Sequence, residues 1–237
     1  MSVTPATAAP AAIDRDSVDR AITGRRSIRR FLPTLVPESV VREIIDAARW
    51  APSGTNMQPW EVIVLAGKRR QAVSDAILAS GLGYDQTSEE KPYYPVPCPE
   101  PYISRRRKVG WALYGALGIV KGDTERMKAQ SQRNYLFFDA PVGMIMTIDR
   151  VLEIGSWLDY GMFLQNIALA ARARGLDTCM QAAFTKMHPI LLRELGIPDS
   201  RIVVCGMALG HADLQAPENV FPVERVPVDG MARFEGF

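Results

Sequence analysis

The sequence predicts one α+β domain in which a small mixed sheet lies between layers of helices. About six to eight stretches have the apolar spacing of helices and four or five have the apolar runs of strands, with no internal repeat. Strands and helices do not alternate strictly, as they would in a doubly wound parallel sheet. In addition, no G-x-G-x-x-G or Walker motif follows a strand.

The composition is that of an ordinary globular protein. Of 237 residues, 47% are apolar and 23% are charged, so a core can form without disulfides or a structural metal. The net charge of +2 is too weak to indicate a nucleic-acid binder by itself. No run approaches the apolar length of a membrane span. Residues 1–13, rich in Ala, Pro and Thr, are predicted to be a disordered leader rather than a secretory signal.

The cysteines and histidines give no metal spacing. Cys98, Cys179 and Cys205 are far apart, and only His188 and His211 accompany them. C-x-x-C, H-E-x-x-H and zinc-finger patterns are absent from the sequence, so no metal site is predicted. Three scattered cysteines suit a reducing cytosol, and a cytoplasmic location is expected.

The first elements are two helices, a strand and a third helix. Residues 14–23 form a predicted helix with Val18 and Ile22 on its inner face and Ala21 at the side of that face. The second helix starts near Pro37 and ends at "APSG", because Pro52 cannot continue it. Its apolar stripe consists of Val40, Val41, Ile44, Ile45 and Ala48. The strand "WEVIVLAG" and a helix over residues 68–80 follow.

Residues 81–103 carry five prolines, which exclude regular helix and central strand. Such a segment is either a functional lid or a plain surface loop. Two helices are predicted after it, over residues 104–120 and 123–138, separated at "KG".

The second half contains two strands, an extended stretch and two helices. It comprises a strand "APVGMIMTID", a largely apolar helix "SWLDYGMFLQNIALAARARG", an extended "LDTCMQAAF", a helix "TKMHPILLRELG", a strand "RIVVCGMALGHAD" and an extended polar tail. Gly175 closes the long helix. Asp159, Gln165 and Asn166 within it indicate a buried helix with specific hydrogen bonds.

The stretch "RRSIRRF", residues 25–31, packs four arginines into seven positions. A solvated face, a nucleic-acid surface, a membrane-surface patch and a phosphate pocket all fit such a run. A second basic run, "SRRRK" at residues 104–108, keeps the nucleic-acid reading open although the overall charge disfavours it. A phosphate pocket is coherent because arginine grips phosphate oxygens through two N–H groups and Ser27 adds a hydroxyl.

Two further stretches are unusual. "APSGTNMQPW", residues 51–60, joins a helix to a strand with small residues and two amides. "GLDTCMQAAF", residues 175–184, follows a helix end. Each alone is well explained as an ordinary connection or a buried strand.

Taken together, in this order, and followed by "VVCGMALGHAD" and "ERVPV", these stretches resemble the nitroreductase family of flavin enzymes. The resemblance begins near Ile13 and covers nearly all of the chain after it. The stretches "EPYISRRRKVGWALYG" and "RNYLFFDAPV" are similar to the subgroup that reduces nitrobenzoates and nitrophenols. The resemblance implies one FMN-binding domain over residues 14–237 that forms an intertwined homodimer. Residues 84–138 would be an insertion shaping the substrate pocket.

The resemblance also implies which residues hold FMN. The phosphate and the pyrimidine edge of FMN would contact Arg25, Arg26, Ser27 and Arg29. A loop of the partner subunit would lie against the flavin, and its contact residues would be Pro52, Ser53, Gly54 and Asn56, with Met57 and Gln58 beside them. Cys179, Met180, Gln181 and Ala182 would pass near the ring, Arg225 would be a second phosphate contact, and Arg133 a further candidate at the pyrimidine edge. Relatives often carry a basic residue where this chain has Val223, a charge that Arg26 would supply. Arg30 is out of register and expected in solvent.

The implied activity is hydride transfer from NADH or NADPH to FMN, then reduction of a nitroaromatic compound to nitroso and hydroxylamine products. No catalytic side chain is predicted. Arg105, Arg106 or Arg107 would pair a substrate carboxylate, or be simply solvated. Aromatic residues would either form the walls of the substrate slot or belong to the core. They are Tyr84, Tyr93, Tyr94, Tyr102, Trp111 and Tyr114. A flavin enzyme acting on halo-aromatic or enone compounds, a flavin-storage protein and a non-enzymatic basic module are the alternatives.

Overall fold

The computed structural model of the chain describes residues 14–81 and 92–237. Its helices are α1 (Arg15–Gly24), α2 (Glu38–Ala48), α3 (Gly67–Ala79), α4 (Tyr102–Ala116), α5 (Thr124–Gln132), α6 (Ile154–Arg172), α7 (His188–Leu195) and α8 (Pro217–Val220). The strands are β1 (Glu61–Ala66), β2 (Val142–Asp149), β3 (Asp177–Gln181) and β4 (Arg201–Gly210). The predicted leader and Tyr84 lie outside the described residues.

The four strands form one sheet in the order β1-β2-β4-β3, and every neighbouring pair is antiparallel. β2 and β4 occupy the centre and are buried along nearly their whole length. The α+β prediction is confirmed. Among the described residues the one parallel pairing is an isolated bridge between Ser27 and Thr178.

Helices cover both faces of the sheet. On one face α2 and α6 pack against Met144, Met146 and Ile148 of β2, together with the inward residues of β4. On the other, α3 and α7 enclose a second core around Ile145. The phenol of Tyr160, fully buried on α6, donates a hydrogen bond of 2.8 Å to the Glu61 carbonyl and ties this helix to β1.

Most predicted elements are confirmed to within a few residues, but four expectations were wrong, the last of them described in the next paragraph. Val18 and Ile22 on α1 are 41% and 49% exposed, so α1 has no buried inner face within the chain. "AAF" after β3 is not extended, since residues Ala182–Met187 form a 3₁₀ helix. The tail contains the short helix α8, which starts at Pro217.

The predicted helix over residues 123–138 ends early, at Gln132, and a 3₁₀ segment continues to Asp139. Phe137, Phe138 and Asp139 have φ of 52°, 52° and 67°. Left-handed backbone costs about 1–2 kcal/mol per residue without glycine. Two buried rings offset this cost, because Phe137 stacks on Phe184 at 4.6 Å between ring centroids and Phe138 is also buried.

Glycines in the central strands make room for these rings. A Cβ on Gly143 would lie 2.6 Å from the Phe137 ring, and one on Gly206 would overlap the ring of Phe184. Both rings are buried, so neither can swing into solvent. The aromatic pair therefore depends on glycine at both positions.

We expect Gly206→Ala to lower the free energy of unfolding by about 2 kcal/mol, because the added methyl overpacks a buried ring. Gly115→Ala is the matched control, since its Cβ would meet open space on the exposed side of α4. The control should be unchanged or up to about 1 kcal/mol more stable, as alanine favours helix. Urea titrations of wild type and both variants measure this. Equal stability of the Gly206 variant and wild type would contradict the packing account.

Candidate active site

The chain segment after α1 is bound to the edge of the sheet. The backbone N–H of Ile28 donates to the Thr178 carbonyl of β3 at 3.1 Å, next to the Ser27–Thr178 bridge. Ile28 and Phe31 are buried and anchor the segment. Two stretches about 150 residues apart are thereby brought side by side, and the arginines of "RRSIRRF" stand beside β3.

The first half of the site is a cavity of about 650 Å³. We call it the arginine-rich cavity; it is lined by Ile22, Thr23, Arg25, Arg26, Ser27, Arg29, Val109, Gln165, Glu218, Asn219, Phe221, Val223 and Arg225. Five residues of the predicted cofactor set therefore meet here. Thr23, Gln165 and the residues of α8 were not predicted.

The four arginines of this cavity are not neutralised. Arg29 donates to the Ser27 carbonyl at 3.1 Å and Arg225 to the Glu224 carbonyl at 2.9 Å. Within residues 14–81 and 92–237, none of Arg25, Arg26, Arg29 and Arg225 has a carboxylate at ion-pair distance. Four uncompensated guanidinium groups around one cavity suit a multiply charged anion such as a phosphate.

Asn219 of α8 fixes the backbone that carries these arginines. Its buried side chain accepts a 2.6 Å hydrogen bond from the backbone N–H of Arg29. It also donates to the backbone carbonyls of Arg30 and Asp213, each at 2.8 Å. All polar atoms of the amide are used. The only signal in the sequence is Pro217 at a helix start, which gives no hint of a partner 190 residues away.

Arg133 and Arg30 have another role. Arg133 donates to Glu218 and to Asp139, both at 2.9 Å, and Arg30 donates to Asp139 at 2.8 Å. Arg133 lines neither half of the site within the described part of the chain. Arg133 is therefore linked to the arginine-rich cavity through Glu218, which lines it, and the half-exposed Arg30 is ion-paired as well as solvated.

The second half is a cavity of about 370 Å³, which we call the β3 cavity. It is lined by Arg29, Tyr94, Arg106, Val109, Gly110, Leu113, Tyr114, Gln130, Ser131, Asn134, Phe138 and residues 179–183. Arg29 and Val109 line both halves, so the two form one elongated site. Of the aromatic residues considered for the slot, Tyr94 and Tyr114 line it, whereas Tyr93 and Trp111 line other depressions.

Gln181 leaves a buried acceptor in the β3 cavity. Its Nε2 donates to the Asn134 carbonyl at 2.7 Å, but Oε1 has no hydrogen-bond partner in the part of the chain that the structure describes. A buried, unpaired acceptor is rare in proteins and indicates a donor that the protein does not supply. A heterocycle with a ring N–H meets this requirement.

Cys179 lies in the same cavity but is not a nucleophile at neutral pH. Burial raises the pKa of its thiol, and the nearby positive charges of Arg29 and Arg25 oppose that shift only in part. The thiol is therefore neutral, and it contributes packing. Met180 is the partly exposed residue of this strand.

The "PSGTN" loop lies away from both cavities of its own chain. None of Pro52, Ser53, Gly54 and Asn56 lines either half, as far as the described residues extend. The Gly54 N–H donates to the buried Asp159 of α6 at 3.1 Å. Thr55, Asn56 and Gln58 have φ of 49°, 60° and 50°, so the loop is strained as well as exposed.

Of the three polar residues of α6, Asp159 and Asn166 have the specific hydrogen bonds predicted for them. Asp159 accepts a hydrogen bond from the loop, Asn166 donates to the Ala48 carbonyl at 3.4 Å, and Gln165 lines the arginine-rich cavity.

Nowhere in the described ranges do three or more His, Cys, Asp or Glu side chains form a group that could hold a metal. Nor does any helix there have both the length and the apolar character needed to cross a membrane.

Comparison with known proteins gives one consistent family. The model of the nitroreductase family matches residues 22–211. Nitrobenzene nitroreductase of Ectopseudomonas oleovorans is 41% identical over 218 residues, covering 92% of this chain and 96% of that protein. The 4-nitrobenzoate reductase of Pseudomonas putida is 41% identical over 223 residues, covering 94% and 97%.

Solved structures agree. The FMN and NADPH-dependent nitroreductase NfnB from sphigopyxis sp. strain HMH has a TM-score of 0.89 at 39% identity and covers 92% of this chain and 99% of its own. The FMN-dependent nitroreductase NfnB from Mycobacterium smegmatis, in complex with NADPH, has a TM-score of 0.88 at 29% identity, with 93% and 99% covered.

Proposed function

This chain belongs to the nitroreductase family, and we propose that it is an NAD(P)H-dependent oxidoreductase that reduces nitroaromatic compounds with FMN as its cofactor. One observation carries the proposal: an elongated site has uncompensated arginines at one end and an orphaned buried acceptor at the other. A phosphate on a chain joined to a flat heterocycle fits that shape. The similar enzymes named for nitrobenzene and 4-nitrobenzoate supply the substrate class.

The residues would divide FMN between the two cavities. Arg25, Arg26, Arg29 and Arg225 would hold the phosphate together with the Ser27 hydroxyl. Val223 and Arg26 line the same cavity, so Arg26 is in place to supply the charge that Val223 lacks. Cys179, Met180, Gln181 and Ala182 would lie against the ring, and Gln181 Oε1 would accept a hydrogen bond from a ring N–H. Arg133 is not assigned to the cofactor, because two carboxylates already occupy its guanidinium.

When bound, FMN supplies two-electron transfer from NADH or NADPH to the nitro group. The chain binds and orients the cofactor, and its arginines stabilise negative charge on it. α4 and Tyr94 border the β3 cavity, where the nicotinamide and then the nitroaromatic would stack in turn. Residues 84–138 therefore shape the substrate pocket in this proposal. No side-chain nucleophile takes part, and the neutral Cys179 thiol is consistent with that.

The proposed assembly is an intertwined homodimer in the cytoplasm. Ile154, Leu158 and Met162 stand one helical turn apart on α6 and are 77%, 69% and 40% exposed. β1 is a sheet edge, and the tail leaves Phe234 and Phe237 in solvent. Exposed apolar residues arranged along one side of a helix are typical of subunit contacts. In the dimer, Pro52, Ser53, Gly54 and Asn56 would lie against the partner's FMN, which accounts for a strained loop that lines no cavity of its own chain.

The first test is the visible absorption spectrum of the purified protein. We expect a yellow protein that bleaches with NADH or NADPH under anaerobic conditions and regains its colour when nitrobenzene is added. A panel with halo-aromatic and enone compounds should give slower reoxidation, which separates the related flavin chemistries. A colourless protein that FMN cannot reconstitute would overturn the proposal, and a yellow protein that does not bleach would leave flavin binding without reduction.

The second test concerns the phosphate. Arg25→Ala should raise the dissociation constant for FMN about 10- to 100-fold, because a charge-assisted hydrogen bond to phosphate is lost. Arg20→Ala removes the same charge from the exposed surface of α1 and should bind FMN like wild type. Quenching of flavin fluorescence on titration of the apoprotein measures both. Undiminished affinity in the Arg25 variant would refute the phosphate assignment.

The third test concerns the dimer. Wild type should sediment at twice the 26.2 kDa mass of the chain. Leu158→Glu puts a charge in the apolar stripe of α6 and should give monomers with weakened FMN binding. Leu214→Glu changes a residue of similar exposure outside the stripe and should remain dimeric. Sedimentation velocity distinguishes these results, and a dimeric Leu158 variant with full FMN content would place the interface elsewhere.

A further inference from the structure

Arg106 is the basic residue of α4 that borders the β3 cavity. Its guanidinium carbon lies 4.5 Å from the centroid of the Tyr94 ring. No carboxylate lies within ion-pair distance of it in the chain as described. Stacking uses the face of a guanidinium and leaves its edge, with several N–H donors, available to a planar anion.

The other basic residues of the run "SRRRK" are directed elsewhere. Arg105 stands 6.0 Å from the Tyr102 ring and lines neither cavity among the described residues. Arg107 lines a separate depression with Trp111, which Arg106 also borders, but Arg107 is not among the described residues that line the β3 cavity. Lys108 is ion-paired with Glu224 at 2.6 Å. Successive residues on a helix turn by about 100°, so one residue of the run faces the cavity while its neighbours face away.

The charges that line the β3 cavity are all positive. Arg29 and Arg106 are its charged lining residues within the described chain, and Arg29 is also shared with the arginine-rich cavity. The remaining polar lining is neutral, and Tyr94, Tyr114 and Phe138 supply aromatic surface. Once a cofactor phosphate has engaged Arg29, the uncompensated charge left beside this aromatic surface is that of Arg106.

We propose that Arg106 binds the anionic substituent of the substrate, so that this enzyme prefers nitroaromatic compounds that carry a carboxylate or a similar anion. This inference rests on the proposed nitroreductase function and narrows its substrate class. Overall similarity does not distinguish an anionic from an uncharged substrate, since relatives named for nitrobenzene and for 4-nitrobenzoate are both 41% identical to this chain. A local feature favours the anionic substrate: among the described residues, the Arg106 guanidinium has no carboxylate partner and lies at the aromatic β3 cavity.

The test is the ratio of kcat/KM for 4-nitrobenzoate to that for nitrobenzene. In Arg106→Gln this ratio should fall about tenfold, through KM for the nitrobenzoate, because a charge-assisted hydrogen bond is lost. Arg106→Lys should retain part of the preference, since it keeps the charge. Arg105→Gln is the matched control and should keep the wild-type ratio. Added salt should raise KM for the nitrobenzoate in wild type and much less in Arg106→Gln.

A second readout does not depend on turnover. Benzoate has the anion but no nitro group, and it should perturb the flavin spectrum of oxidised wild type more strongly than that of Arg106→Gln. An unchanged ratio with unchanged benzoate binding would overturn the role of Arg106, as would an equal fall in Arg105→Gln. Wild type that reduces neither nitro compound would instead refute the proposed function.

Discussion

The site depends on the pairing of one short segment with the edge of the sheet. Ile28 and Ser27 pair with Thr178, and buried Ile28 and Phe31 keep the segment in that register. Asn219 then fixes the Arg29 and Arg30 peptides from the opposite side. Strand β3 would otherwise be an open edge, so the contact that protects the sheet also sets the arginines beside the cavity.

The arginines near this segment fall into two electrostatic classes. Arg30 and Arg133 share Asp139, and Arg133 also neutralises the buried Glu218. Those of the cavity lack such partners among the described residues and repel one another, which costs stability in the absence of an anion. A bound phosphate removes this repulsion, and any ligand that binds only the folded chain stabilises it in proportion to its concentration. If the cavity holds the FMN phosphate as proposed, the same charges couple cofactor binding to stability.

The parts of the fold that follow from local pattern could be predicted, and those set by distant contacts could not. α2 and α6 are apolar at helical spacing, and their bounds were close to the prediction. The early end of α5 could not be foreseen, because it results from rings that stack against Phe184 and fill the space above Gly143. The hydrogen bond from Arg29 to Asn219 and the ion pair between Arg133 and Glu218 join residues 85 or more positions apart, for which one sequence carries no signal.

In the proposed function, different elements hold the cofactor phosphate and select the substrate. The arginines and β3 are fixed by the two cores and by the sheet edge, whereas α4 has no buried residue and contributes to neither core cluster. α4 is attached by surface contacts such as the ion pair between Lys108 and Glu224. An exposed change on such a helix usually alters stability by no more than about 0.5 kcal/mol. Val109 of α4 lines both cavities, but Arg106 lines the β3 cavity and not the arginine-rich cavity. Side chains such as Arg106 can therefore change with little effect on the stability of the fold, and in the proposed function this makes α4 the element in which substrate preference is set.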